Sequence, residues 1–109
     1  MARKRIYVAG KLNDMAVAYI KNVRGMCIEA DSIRKMGYSV FVPCLDVLMG
    51  LIAGDYDYND YFENNQPWLA ASDAVYVCAD SEESKGTKKE IEYAEKLGIP
   101  VIYDKKDLP

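Results

Sequence analysis

Apolar residues follow two rhythms along this chain. Short unbroken runs at "RIYVAG" (5–10), "YSVFVP" (38–43), "DAVYVC" (73–78) and "GIPVIYD" (98–104) are rich in β-branched and aromatic residues and punctuated by Gly, Pro or Asp. That is the signature of short strands, and the continuous apolar character of the third suits a parallel strand covered on both faces. Between the runs the period lengthens. An amphipathic stretch from about Asp14 to Met36 predicts a long first helix, with Gly37 suited to end it. "CLDVLMGLIAG" (44–54) is apolar nearly all round and predicts either a core helix or part of a subunit interface. "DYDYNDYFENNQPWLAAS" (55–72) alternates acids with tyrosines before a helical pattern takes over, which Pro67 would kink or restart. "SKGTKKEIEYAEKLG" (84–98) predicts a surface helix, and the closing "KKDLP" a frayed tail. Strands alternating with helices imply parallel βαβ units, so residues 1–109 are expected to form a single domain around an open, doubly wound α/β sheet of four or five strands. Ligands of such sheets bind beyond the carboxyl ends of the strands, where strand order reverses. Here the exposed loops are Gly10–Asn13 and Ala79–Gly86.

One polar position breaks the helical pattern. With successive side chains turned by ~100°, Ile91, Ala94, Leu97 and Gly98 share one stripe, and Glu90 projects between Ala94 and Leu97. Thr87-x-x-Glu90 fits a capping box, which makes the glutamate a structural cap. Alternatively Glu90 faces the cleft from the helix start, where nearby amides favour its ionised form and leave it a candidate nucleophile. Ser84 and Gly86 precede that helix; with its first amides they make a small anion site or simply turn the chain. Tyr7 lies inside the first strand, where core packing is the default and a buried hydroxyl needs a partner; Glu90 is a geometrically reasonable one.

Other candidates carry less. Asp55, Asp57 and Asn59 are spaced like a calcium loop, but Asp60 stands where its glycine belongs and Gln66 where its glutamate belongs, so no metal is expected. Tyr56, Tyr58, Tyr61 and Phe62 suit stacking on a nucleobase or, better, an oligomer interface. Lys88, Lys89, Glu92, Glu95 and Lys96 form a solvated charged face.

Composition narrows the chemistry further. With 14 basic and 17 acidic residues well mixed, and a net charge of -3, no cationic field invites nucleic acid. The chain contains no histidine, which excludes Ser-His-Asp and Cys-His nucleophiles and any His-ligated metal. Cys27, Cys44 and Cys78 are odd in number, lack Cys-x-x-Cys spacing and sit in apolar segments, where a thiol is a small hydrophobe; a reducing, cytoplasmic compartment is expected. "MARKR" is followed by too few apolar residues for a signal peptide, and no run reaches membrane-spanning length.

Taken in order, Tyr7-x-x-Gly10, "WLAASDAVYV" and Ser84-x-Gly86-x-x-x-Glu90 resemble the nucleoside 2-deoxyribosyltransferase superfamily, which includes 2'-deoxynucleoside 5'-phosphate N-hydrolases. The resemblance runs from Ile6 to about Tyr103 on a handful of positions. It implies a flavodoxin-like or Rossmann-like sheet, a homodimer or higher homo-oligomer with sites completed across the interface, a small-molecule nucleoside or nucleotide substrate, and no cofactor. Glu90 corresponds to the nucleophile that attacks C1' of the deoxyribose, and Tyr7 to the tyrosine that orients it. Gly10, Lys11 and Leu12 correspond to a wall of the pocket, with Leu12 against the base. Ser84 corresponds to the residue at the sugar 5' end, where serine looks like the phosphate-binding hydrolases, with Gly86 following in the same loop. The logic is that of retaining glycosidases, with a carboxylate nucleophile and a covalent intermediate. Departure of a free base also calls for an acid. The aspartate the family usually places before strand three is Asn65 here, and asparagine cannot deliver a proton. Asp60, Glu63 or a residue of a partner chain could replace it; otherwise the chain is a non-catalytic nucleotide-binding or sensor module. "GTKKE" (86–90) also looks like the end of the glycine-rich motif of the lysine-decarboxylase-like nucleotide phosphoribohydrolases, though Glu82, Glu83 and Ser84 stand where that motif has Pro-Gly-Gly.

Overall fold

Strand β1 (Arg5–Ala9) begins the sheet, and helix α1 (Ala16–Lys35) carries the chain back to β2 (Ser39–Phe41). These elements come from a computed structural model, which describes residues 3–11, 16–54, 57–79, 81 and 83–109. A single 3-10 turn at Pro43–Leu45 leads into α2 (Asp46–Ala53), followed by α3 (Tyr58–Ala70), β3 (Ala74–Val77), α4 (Lys85–Lys96) and a two-residue β4 (Val101–Ile102). The four strands are all parallel, in the order β2-β1-β3-β4. This is an open, Rossmann-like α/β sheet with the switch point between β1 and β3. Tyr7 stands beside Phe41 on one side and Val75 on the other.

Period-two alternation divides the strand residues between two cores. Ile6, Val8, Ala74 and Tyr76 pack with Met26, Ala30 and Ile33 of α1. Tyr7, Ala9, Val75 and Val77 pack with Leu69 of α3 and Ala94 of α4 on the opposite face. All four residues of β3 are buried, as expected of a central parallel strand.

Gly37 ends α1 as expected, with φ at +106° where side chains are disfavoured. The expected start of that helix at Asp14 lies outside the described residues. Helix α3 runs as one element through Pro67; Pro67 and Glu63 both face solvent, so water can serve the carbonyl that the missing N–H leaves. In the segment expected to form a core helix or an interface, Cys44 is buried in the α1 core, whereas Leu45, Met49 and Ile52 are exposed among the described side chains. Nor is the C-terminal tail frayed: Asp104 caps a 3-10 turn at Lys105–Asp107, Lys105 pairs with Glu29 at 2.9 Å, and Leu108 packs on the α1 core. Among the described residues no helix is long and apolar enough to cross a membrane.

Candidate active site

The carboxyl edge of the sheet opens into a cleft lined mostly by aromatic and apolar side chains with a few polar groups among them, the usual make-up of a small-molecule site. Six of the eight residues singled out from the sequence line it: Tyr7, Gly10, Asn65, Ser84, Gly86 and Glu90. Lys11 adjoins it but is not among the lining residues; its backbone N–H donates to the Ser81 hydroxyl at 3.0 Å. Leu12 lies outside the described residues.

Glu90 enters this cleft from α4, but not from its first turn. Ser84 is the N-cap, with extended backbone, and accepts a long 3.4 Å hydrogen bond from the Thr87 N–H. Thr87 therefore occupies the third helical position and Glu90 the sixth. The expected capping box is absent, and Gly86 sits inside the first turn rather than before it. The buried face also differs from the expected stripe: Thr87 and Ala94 are buried, whereas Leu97 and Gly98 are exposed.

The Tyr7 hydroxyl donates a short hydrogen bond to Glu90 Oε2. Tyr7 itself is 1 % exposed, fixed by β1 and stacked on Phe41 at 5.6 Å, which in turn stacks on Trp68 at 5.4 Å. The expectation that helix amides keep Glu90 ionised is not met. Burial raises its pKa from 4.5 to about 7, and the Tyr7 hydrogen bond, which favours the ionised form, offsets only part of that. The group is thus poised near neutrality, where a carboxyl can be either acid or nucleophile.

Asn65 presents the second unusual atom. It is 8 % exposed, and its Oδ1 is buried with no hydrogen-bond partner among the described residues. Such orphaned acceptors are costly and uncommon away from ligand sites. Neither expected replacement acid reaches the cleft. Asp60 is engaged in a capping box with Asp57 at the start of α3, which also accounts for one of the three residues spaced like a calcium loop, Asp55 lying outside the described residues, and Glu63 is exposed. Glu90 is the one carboxyl among the described lining residues.

Several walls were not singled out from the sequence. Tyr19 and Met26 reach in from α1, Cys44 from the 3-10 turn, Leu69 from α3 and Tyr93 from α4. Tyr61 and Phe62, assigned chiefly to an interface, also line the cleft. Burial, with Tyr61 and Cys44 nearby, pushes the Tyr19 phenol up, so it remains a proton-bearing hydroxyl. Ser81 is buried and ties the loop after β1 to the loop after β3 through Lys11. The apolar positions had a sufficient explanation in core packing, and Ser81 had no motif to mark it.

Residues 4–103 match the family described as Domain of unknown function (DUF4406). The chain belongs to the DUF4406 family. A search of curated proteins finds no match. Among solved structures, the DUF4406 chain is similar to one described as a conserved protein from Enterococcus faecalis V583, with a TM-score of 0.73 and 23 % identity. The likeness covers 92 % of this chain and 62 % of that one. At this identity it establishes the shared fold, and the chain spans under two thirds of that protein's length.

Proposed function

We propose that this chain cleaves or exchanges the N-glycosidic bond of 2'-deoxynucleosides or their 5'-monophosphates, with Glu90 as nucleophile. The observation that carries the reading is the Tyr7–Glu90 hydrogen bond inside a largely aromatic and apolar cleft at the sheet's switch point. Glu90 attacks C1', the C1'–N bond breaks, and the base leaves with the electron pair and takes up a proton. Water or a second base then attacks the glycosyl ester and frees the carboxylate. Tyr7 holds the carboxylate in one orientation and stabilises its charge between turnovers. Ser84 and the first amides of α4 suit the 5' oxygen or phosphate, because the helix N-terminus favours negative charge. Asn65 offers its unpartnered Oδ1 as acceptor to an N–H of the base and supplies no proton.

Asn65 also motivates a second reading, a nucleotide-binding module that leaves its ligand intact, since no second carboxyl lines the cleft among the described residues. One experiment separates the two. The four 2'-deoxynucleoside 5'-monophosphates and the matching nucleosides are incubated with the protein, with and without a second free base, and analysed by chromatography. Base release or exchange that disappears in a folded Glu90→Ala variant is expected. Thermal stabilisation by a nucleotide recovered intact would overturn catalysis in favour of binding.

A further inference from the structure

Cys27 and Cys44 are seventeen residues apart in sequence, yet their sulfurs lie 3.9 Å from each other. We propose that they form a reversible disulfide that ties α1 to the wall of the cleft. Bond formation requires the sulfurs to approach by about 2 Å more, since a disulfide spans about 2 Å. Cys27 is partly buried on α1, and Cys44 is buried in the 3-10 turn after β2. The two thiols face different surfaces. Cys27 lines an outer groove with Arg24, Asp31 and Lys35, the last two ion-paired at 3.2 Å, and its partial exposure puts it on the side from which a small disulfide reagent would approach. Cys44 lines the cleft beside Met26, whose neighbour in the chain is Cys27. The bridge thus joins a reachable surface to the interior site.

The oxidant is a small-molecule disulfide such as oxidised glutathione. The Cys27 thiolate attacks one glutathione sulfur, the S–S bond breaks, and one glutathione thiolate leaves with the electron pair. The Cys44 thiolate then attacks Cys27 Sγ in the mixed disulfide and expels the second glutathione. Two cysteine thiols lose two protons and two electrons, and one external disulfide becomes two thiols. Cys78 takes no part: burial, and then the nearby Glu29 carboxylate, push its thiol up to about 12, which leaves it unreactive.

The test equilibrates the full chain in a series of oxidised-to-reduced glutathione ratios, blocks remaining thiols with N-ethylmaleimide, and maps the peptides by mass spectrometry. A linked Cys27–Cys44 peptide is expected, lighter than its reduced parts by two hydrogens and restored by dithiothreitol, with Cys78 blocked only after unfolding. Cys78→Ser should keep the bridge and Cys27→Ser should lose it. Blocked Cys27 and Cys44 at ratios that oxidise a reference dithiol would overturn the proposal, as would glutathione retained on Cys27 without an internal bridge. Mapping of the unsubstituted chain and of Cys78→Ser decides the matter even if Cys27→Ser folds poorly. The result does not depend on whether the cleft releases bases.

Discussion

Glu90 illustrates how a single buried carboxyl couples function to stability. Its pKa is raised from 4.5 to about 7 in the folded chain, so between these values the folded state holds a proton that the unfolded state has released. Stability therefore falls as pH rises through that window: no penalty below about 4.5, where both states are protonated, and the whole penalty above about 7. The size of the shift corresponds to roughly 3 kcal/mol. Glu90→Gln removes the ionisation and keeps an acceptor for Tyr7, so it should be more stable than the unsubstituted chain at about pH 8 and nearly equal at about pH 4.5. Urea titrations at the two pH values check this, and a less stable glutamine variant at the higher pH would contradict the burial of the charge. The same group sets the pH dependence of turnover. A nucleophilic Glu90 must be ionised, so kcat/KM should rise with pH to a plateau above about 7. Tyr7→Phe removes the donor that favours the carboxylate, so this limb should move to higher pH, whereas a Tyr7 that serves only as packing would leave the limb in place.

At the scale of elements, the approach of α1 to the end of β1 depends on one missing methyl group. A Cβ on Gly10 would lie 2.9 Å from both Cγ and Sδ of Met26, and Met26 is itself buried. Gly10→Ala should cost about 1–3 kcal/mol by overpacking, while Met26→Ala costs about 2–5 kcal/mol through the cavity it leaves. The double variant should lose less than the sum, because each change relieves the other; chemical denaturation of the four proteins measures the coupling. Additive losses would show that the contact is not what requires glycine at this position. How much of this was legible beforehand follows from what periodicity can encode. The strands β1 and β3 were plain, because burial on both faces leaves an unbroken apolar run. Glu90 stood out as polar on an inward face, and the Tyr7 pairing followed from neighbouring elements. The span 84–98 expected for the last helix contains α4, but the Thr87 capping box put the cap three residues too late, since Ser84 and Thr87 are both good caps and only the backbone of Ser84 decides between them. The sign of the Glu90 shift was also missed, because desolvation depends on how many elements close around a carboxyl and not on its helix alone. Tyr19 and Met26 look like core residues from sequence, and the Cys27–Cys44 approach arises only when α1 packs against the turn after β2.

For the whole molecule, the unresolved choice in the sequence was the role of the apolar segment around α2. Its described large apolar side chains face water: Leu45, Met49 and Ile52 are exposed, with Ile52 at 79 %. Of the two roles that its composition suggested, we propose the second, a subunit interface, which accords with the homo-oligomer implied by the superfamily resemblance. Water-exposed side chains of this size each forgo roughly 1.5–3 kcal/mol of burial, which a second copy of the chain can recover. Sedimentation equilibrium should therefore give a particle of at least twice the 12.3 kDa chain. Ile52→Asp would place a charge in the contact and should shift the population to monomer, with little effect on the fold because the side chain is solvated in the single chain. If association also completes the cleft, dilution of the unsubstituted protein and Ile52→Asp should lower specific activity together. A monomer at micromolar concentration with full activity would rule out both the interface and any contribution from a neighbouring chain.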